Sequence, residues 1–138
     1  MIVRIASGIT EQLLAHAAAD APHEACGLLL GTAGPEHSDI RVARPAPNVA
    51  ADPARRFEID PAMLLSAHRT ARGDGMAILG HYHSHPDGST RPSKRDAARA
   101  LQNGQIWMII GGAAITAWIA AADGALHGRF HEIALAPL

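Results

Sequence analysis

The sequence contains a single cysteine, Cys26, and a single lysine among its twelve basic residues. One cysteine excludes an internal disulfide and any zinc site built from several cysteines, and it is typical of a reducing compartment. Twelve Lys and Arg residues against thirteen Asp and Glu residues leave no basic footprint for nucleic acid or for an anionic membrane. We therefore expect a cytoplasmic protein that binds neither.

Long uninterrupted apolar runs are also absent. The most apolar stretch, residues 106–122, includes Gly111, Gly112 and Thr116 and falls short of the roughly 18 apolar residues that predict a membrane helix. The N-terminus has no basic region followed by an apolar one, so we expect no signal peptide. No repeat or linker divides the 138 residues, of which 48% are hydrophobic. This composition predicts one domain over residues 1–138 with a core of its own.

Apolar periodicity and turn residues predict interleaved strands and helices. Strands are predicted at 3–6, 25–31, 39–43, 57–59, 76–83, 105–110, 115–120 and 126–133, helices at 8–19, 61–72 and 93–101, and an irregular loop at 45–53. Asp60 and Pro61 supply an N-cap and a proline at the first helical position. Because the last three strands follow one another closely, we predict an α/β fold whose mixed, mostly antiparallel sheet is flanked by helices.

The segment from Gly80 to Asp96 carries the clearest chemical pattern of the sequence. Residues i and i+2 of a strand point to the same face, so His83 and His85 can hold one ion between them. Catalytic zinc sites combine three ligands drawn from His and carboxylate with one open position. Asp96, at the start of the next predicted helix, would supply the third ligand. The pattern favours a zinc hydrolase.

Each of these residues also has a structural interpretation. Ser93 and Asp96 resemble a capping box, a role compatible with metal ligation by Asp96. His81 extends the alternation, either as a third imidazole or, as we favour, as a buried structural residue. Other histidine-rich zinc folds fit less well, because the chain lacks the Asp-His pair of metallo-β-lactamases, is too short for an amidohydrolase barrel and lacks the paired cysteines of zinc deaminases.

Glu24 is the best candidate for a catalytic base. A carboxylate that takes a proton from the attacking water and delivers it to the leaving amine assists metal-dependent hydrolysis. Glu24 directly precedes a predicted buried strand, where an apolar wall can control its pKa. The alternative interpretation is a solvated acid at a helix–strand junction, and the sequence leaves both open.

The chain resembles the MPN-domain metalloproteases, whose JAMM motif is matched in order by Glu24, residues 26–29, residues 83–86, Ser93 and Asp96. The resemblance covers nearly the whole chain and includes the usual seven residues between His85 and Ser93. It implies a single MPN-like domain. His81 is the main departure from the family pattern, since an aromatic or aliphatic residue is more common there.

The resemblance also implies roles for the motif residues. His83, His85 and Asp96 would bind one Zn²⁺ per chain, although this ligand set also accepts iron, cobalt or manganese. Glu24 would act as the general base on the zinc-bound water, and Ser93 would donate a hydrogen bond to the oxyanion. Ser84 would orient the loop, and Cys26 would be a small buried strand residue rather than a nucleophile.

Residues 52–61 resemble the compact bacterial branch of the family, which includes peptidases acting on ubiquitin-like sulfur-carrier proteins. This resemblance implies hydrolysis of an amide bond at the C-terminal Gly-Gly of such a carrier, whose extended tail could add to an exposed sheet edge. Arg55 and Arg56 would contact an acidic carrier or, as we favour, remain solvated. The alternatives are a non-catalytic MPN module that binds a ubiquitin-like or other partner, and a zinc hydrolase of small amides.

Overall fold

The structure, a computed structural model, describes residues 1–138 as seven strands and three helices. The strands are β1 (Ile2–Ile5), β2 (Cys26–Ala33), β3 (His37–Ala46), β4 (Ala77–Ser84), β5 (Ile106–Gly111), β6 (Ala114–Ala120) and β7 (Phe130–Pro137). The helices are α1 (Ile9–Asp20), α2 (Pro61–Gly73) and α3 (Lys94–Arg99). None of these helices is long and apolar enough to cross a membrane.

The seven strands form one closed sheet in the order β1-β3-β2-β4-β5-β6-β7, with β7 returning to β1. Four neighbouring pairs are antiparallel and three are parallel, which confirms the predicted mixed, mostly antiparallel sheet. The closure was not predicted. Because every strand has two neighbours, the sheet has no edge strand, and the structure does not support binding of an extended tail to such an edge.

Helices α1 and α2 lie on opposite faces of the sheet, and each covers a separate apolar cluster. On one face, Ile9 and Leu13 of α1 pack against a cluster that contains Tyr82 and Met108. On the other face, α2 covers Leu28 and Leu30 of β2, beside an aromatic cluster made by Phe57, Trp107, Trp118 and Phe130. The alternation along β4 therefore places Tyr82 on the α1 side and its neighbours His81 and His83 beside the aromatic cluster.

The predicted strand at residues 57–59 is wrong, because this segment is irregular. Its backbone forms isolated hydrogen bonds rather than a ladder. Glu58 N–H donates to Asn48 Oδ1 at 3.1 Å, the Glu58 carbonyl accepts the Val49 N–H at 3.0 Å, and the Phe57 carbonyl accepts from Arg99. The Phe57 side chain is nevertheless buried. The apolar side chain of Phe57 predicts a strand, but an extended segment can bury one side chain without pairing with a neighbouring strand.

Two other boundaries shift for reasons of local backbone. The last strand begins at Phe130 and not at Leu126, because His127 and Gly128 adopt positive φ values of 54° and 67°, which interrupt an extended chain. The predicted turn after Gly31 starts later than expected, since β2 continues to Ala33. The predicted N-cap of α2 is confirmed: Asp60 accepts the N–H of Ala62 at 3.0 Å.

Candidate metal centre

The C-terminal end of β4 positions the two histidines. His83 pairs with Ile109 of β5, and the His85 N–H donates to the Ile110 carbonyl at 2.8 Å, so the β5 ladder continues past the end of β4. Gly80 permits this close approach, because a Cβ at that position would lie 1.8 Å from the Ile106 carbonyl oxygen. The backbone of β5 therefore fixes where both imidazoles stand.

A capping box at the start of α3 positions the carboxylate. Ser93 Oγ accepts the Asp96 N–H at 2.9 Å, and the Ser93 N–H donates to Asp96 Oδ2 at 2.9 Å. This reciprocal pair locks the Asp96 side chain toward the N-terminus of the helix. The predicted capping role and the predicted ligand position of Asp96 are thus compatible in one geometry.

The three predicted ligands converge on a single point. The two imidazole Nε2 atoms of His83 and His85 are 3.0 Å apart, and they lie 3.2 Å and 3.1 Å from Asp96 Oδ2. All three side chains are buried. Ligand atoms around a tetrahedral zinc ion stand about 3.3 Å apart, so the cluster fits a metal ion of this size after a small expansion.

The hydrogen bonds of His85 provide a second test of whether the cluster suits a metal ion. His85 Nδ1 lies 3.1 Å from the Ser89 carbonyl, which can only accept, so Nδ1 carries the proton and the neutral ring has its lone pair on Nε2. That lone pair faces Asp96 Oδ2 at 3.1 Å. Two acceptors at this separation need a proton or a metal ion between them. A backbone acceptor on the second nitrogen is also typical of metal-binding histidines.

Burial and the cluster itself shift the pKa values of the three groups. Burial lowers the pKa of His83, whose ring stacks on Phe57 at a centroid distance of 4.5 Å. Burial opposes ionisation of His85 and Asp96 as well, but their mutual hydrogen bond prevails, so the pKa of His85 is raised. The pKa of Asp96 is lowered, since its bonds to His83, His85 and the Ser93 N–H outweigh burial. Asp96 is therefore an anion ready to bind a cation.

Glu24 lies beside this cluster as a buried acid, with only 5% of its surface exposed. Burial raises its pKa to about 7, while the charge of His85 acts in the opposite direction. Its Oε1 has no hydrogen-bond partner. Glu24 also lines the same cleft as His85 and Ser93. The solvated alternative is therefore wrong, and the carboxylate can exchange a proton near neutral pH.

Asn48 anchors the segment next to Glu24, and nothing in the sequence marks it as a functional residue. Its Nδ2 donates to the carbonyls of Glu24 and Arg56, both at 3.0 Å. Its Oδ1 accepts the N–H groups of Ala50 and Glu58 at 3.0 Å and 3.1 Å. The Asn48 side chain thus connects the loop of residues 50–58 to the backbone of Glu24. The only available signal was an amide residue within a Pro-rich loop, which is common.

The remaining predicted positions have structural environments. Ser84 Oγ accepts the Ala25 N–H at 2.8 Å, so Ser84 fixes the residue that follows Glu24, as its predicted orienting role requires. Cys26 is buried, and burial raises its thiol pKa to about 12, which excludes a thiolate nucleophile at neutral pH. His81 is not part of the ligand cluster; it packs on Trp107 at 4.2 Å, and burial lowers its pKa to about 3.

An open cleft of about 800 Å³ leads to the cluster. Its walls are formed by the segments that connect β3 to α2, β4 to α3 and β6 to β7, together with the start of α3. Its lining residues include Glu24, Arg55, His85, Asp87, Arg91, Ser93, Arg95 and His127. Arg55 lines the cleft, whereas the neighbouring Arg56 does not. The cleft brings the predicted metal ligand His85, the buried acid Glu24 and the helix-capping hydroxyl of Ser93 to one surface.

A buried His-His-Asp cluster beside a buried carboxylate, at the end of a strand and open to a cleft, is typical of metal-dependent hydrolases. The chain belongs to the family described as prokaryotic homologs of the JAB domain, whose model matches residues 6–121. This membership confirms the resemblance to the JAMM/MPN family.

Two relatives match most of the chain. A protein of Haloferax volcanii named desampylase is 34% identical over 109 residues, which are 76% of this chain and 77% of the relative. A probable TtuB-protein conjugate cleaving protease of Thermus thermophilus is 33% identical over 100 residues. That match covers 72% of this chain and 64% of the relative, just under two thirds of its length.

Solved structures show the same fold. A solution structure of a protein from Desulfitobacterium hafniense has a TM-score of 0.86 and 29% identity, and the match covers 100% of this chain and 93% of that one. The crystal structure of a JAB1/MPN domain protein from Archaeoglobus fulgidus has a TM-score of 0.60 and 20% identity, with 96% of each chain covered. The latter likeness confirms the predicted MPN-like fold.

Proposed function

We propose that residues 1–138 form a zinc-dependent peptidase or isopeptidase of the cytoplasm. Its reaction is hydrolysis of an amide bond at the C-terminal Gly-Gly of a ubiquitin-like sulfur-carrier protein. The observation that carries the proposal is the convergence of His83, His85 and Asp96 within 3.2 Å of one another, at the edge of a cleft that Glu24 also lines. A binding module would need no such combination of a cation site and a buried acid.

The roles of the residues follow from their environments. His83, His85 and Asp96 would hold one zinc ion, and such an ion would supply polarisation of the scissile carbonyl and a lower pKa of the attacking water. Glu24, whose pKa is about 7, takes a proton from the water and delivers it to the leaving amine. Ser93 Oγ already accepts from the Asp96 N–H, so its own proton remains free to be donated to the oxyanion.

The substrate class is supported by the names of the two relatives. One is a desampylase, and the other is described as cleaving conjugates between TtuB and proteins. Both names describe the removal of one protein from another. The sulfur-carrier part of the proposal is supported by the relative named for TtuB and by the resemblance of residues 52–61 to the compact bacterial branch.

The test is cleavage of a sulfur-carrier protein that bears a cysteine adduct on its C-terminal Gly-Gly, by zinc-loaded protein. Wild type is expected to release the adduct, whereas Glu24→Gln is expected to retain zinc and lose at least about 100-fold in rate, because the proton acceptor is removed. Asp96→Ala is expected to lose both zinc and activity. Released adduct is measured by mass spectrometry, and bound zinc is measured on the same samples.

The matched control is Glu132→Gln, which changes an exposed glutamate of β7 and is expected to leave rate and zinc content unchanged. Normal cleavage by Glu24→Gln would refute the assigned base. Binding of the carrier without release by wild type would favour the alternative, a non-catalytic MPN module. Cleavage of small amides but not of the carrier adduct would favour the third interpretation.

A further inference from the structure

We propose that the cleft holds a polypeptide segment with acidic side chains close to the scissile bond, and that Arg55, Arg91 and Arg95 bind those carboxylates. These three residues are called the arginine rim. The inference rests on the proposed function, because it assumes that a peptide or isopeptide bond lies at the metal centre. It adds the chemistry of the sequence that flanks the bond.

The arginine rim is concentrated on one site of a chain that is not basic. The whole sequence has twelve basic against thirteen acidic residues, yet three arginines line a single cleft of thirteen residues. Of the two carboxylates in that lining, Glu24 is buried. Asp87 is exposed, and its Oδ1 accepts the Ser89 N–H at 2.9 Å, so it sets one negative charge against the three arginines. The net exposed charge that a ligand meets at this cleft is therefore positive.

The guanidinium groups of the rim lack strong acidic partners within the protein. Arg95 Nη1 donates to the Arg55 carbonyl at 3.3 Å, which leaves its charge without a carboxylate. Arg55 is 3.8 Å from Asp52, and both side chains are largely exposed to solvent. Arg91 bonds through its backbone N–H to Ser89 Oγ at 3.3 Å. These groups remain available to a ligand.

The position of Arg95 also contradicts the requirements of the helix it belongs to. Lys94 and Arg95 occupy the first two residues of α3, where the positive end of the helix dipole disfavours cations. Within the protein, the Arg95 side chain has one hydrogen bond, of 3.3 Å, to the Arg55 carbonyl to offset this cost, and a residue that breaks a local rule in this way is typical of a functional position. The charge of Arg95 also reaches Glu24, where it opposes the larger effect of burial, which raises the pKa.

The chemistry of the rim selects acidic peptide side chains. A guanidinium presents two parallel N–H donors that match the two oxygens of a carboxylate. A neutral amide on the peptide, as in Gln, binds a guanidinium more weakly than a carboxylate does. Each exposed pair contributes little by itself, so three of them acting together are needed for a marked preference. Such a preference is expected to act on binding and to weaken with salt.

The experiment measures binding of short fluorescent peptides that contain Gly-Gly, with Glu, Gln or Lys in the residues on either side. Zinc-loaded Glu24→Gln protein is used, so that binding is measured without turnover, and Kd is determined by anisotropy at low and high salt. Each rim arginine is then changed to Gln in the same background. The matched control is Arg69→Gln, which alters an exposed arginine of α2 outside the cleft.

The expected result is that Glu peptides bind about tenfold more tightly than Gln peptides, that Lys peptides bind most weakly, and that salt removes the difference. Each rim substitution is expected to reduce the preference, and Arg69→Gln is not. Equal binding of Glu and Gln peptides, or no binding of any, would overturn the inference. A charge preference without cleavage by wild type would refute the proposed function alone, and cleavage indifferent to charge would refute the rim alone.

Discussion

Glu24 shows how one residue can weaken the fold and still be suited to chemistry. Its carboxyl is shielded from solvent, and its Oε1 lacks any hydrogen-bond partner. An acid in such a place resists ionisation, so its pKa rises from 4.5 to about 7. Ionising Glu24 in the folded protein therefore costs stability. The same shift brings its pKa to the range in which a group can both take and return a proton.

This cost predicts the stability of Glu24→Gln in the metal-free protein. Because the pKa of Glu24 is higher in the folded than in the unfolded chain, the penalty appears as the pH rises above 4.5 and is complete above about 7. Glutamine has no such penalty. As the pH rises from about 5 to about 8, the unfolding free energy of Glu24→Gln is expected to increase by about 2 kcal/mol relative to that of wild type. Thermal unfolding with a chelator measures this gain.

The difference between the two proteins isolates residue 24, since every other titrating group is shared. A constant difference in unfolding free energy at both pH values would contradict the burial argument. Glu132→Gln again serves as the control, because its side chain is exposed on β7. For this control we expect no pH-dependent change in stability relative to wild type.

At the scale of single elements, β4 is the strand that carries most of the site. It stands between β2 and β5, and its end delivers both imidazoles. Gly80 lies where β4 and β5 come closest, since an added Cβ would lie 1.8 Å from the Ile106 carbonyl oxygen and 2.8 Å from the Ile106 nitrogen. Both atoms belong to the backbone and cannot turn away.

Gly80→Ala is therefore expected to separate β4 from β5 and to displace the metal ligands that follow. We expect a loss of about 3 kcal/mol or more in unfolding free energy together with reduced zinc binding. Denaturant unfolding and a zinc titration measure the two effects. Gly73→Ala is the matched control, because nothing lies within 4 Å of its added Cβ and alanine favours the helix that it ends. Equal stability of the two variants would refute the close-approach argument.

The parts of the site that were predictable are local in sequence. His83 and His85 share a face because strand residues alternate, and Ser93 and Asp96 form a capping box within one helical turn. The hydrogen bonds of the Asn48 side chain were not predictable, because they join the backbone of Glu24 to that of Arg56 and Glu58, which are distant in sequence. Arg91 and Arg95 were not predicted for the same reason, since only the folded chain brings the loop before α3 and the first turn of α3 to the cleft that Arg55 also lines.

At the scale of the whole molecule, β1 closes the sheet. This strand of four residues runs parallel to both β3 and β7, and Val3 is completely buried. The Arg4 guanidinium donates two hydrogen bonds, of 2.7 Å and 2.9 Å, to the carboxylate of Asp39 in β3. The strand was predicted from its apolar residues, but its partners were not, because parallel pairing between distant strands leaves no pattern in the sequence.

Deletion of residues 1–6 is expected to expose the facing edges of β3 and β7. Unpaired strand edges bind other chains, so we expect loss of cooperative unfolding and formation of oligomers. Circular dichroism and size-exclusion chromatography measure these effects. Removal of Met1 alone is the control, since β1 begins at Ile2. A truncated chain that stays monomeric and unfolds as wild type does would contradict the closing role of β1.

The stacking of Phe57 on His83 has a consequence for the route by which a metal ion enters and leaves the cluster. Phe57 and Trp107 close the side of the ligand cluster that faces the core, and His83 has no exposed surface. Solvent reaches the cluster from the cleft, so an ion and a chelator must use the entrance that admits the substrate. We therefore expect a chain with substrate or product in the cleft to release its metal slowly, and a chain with an empty cleft to exchange metal readily with the solution around it.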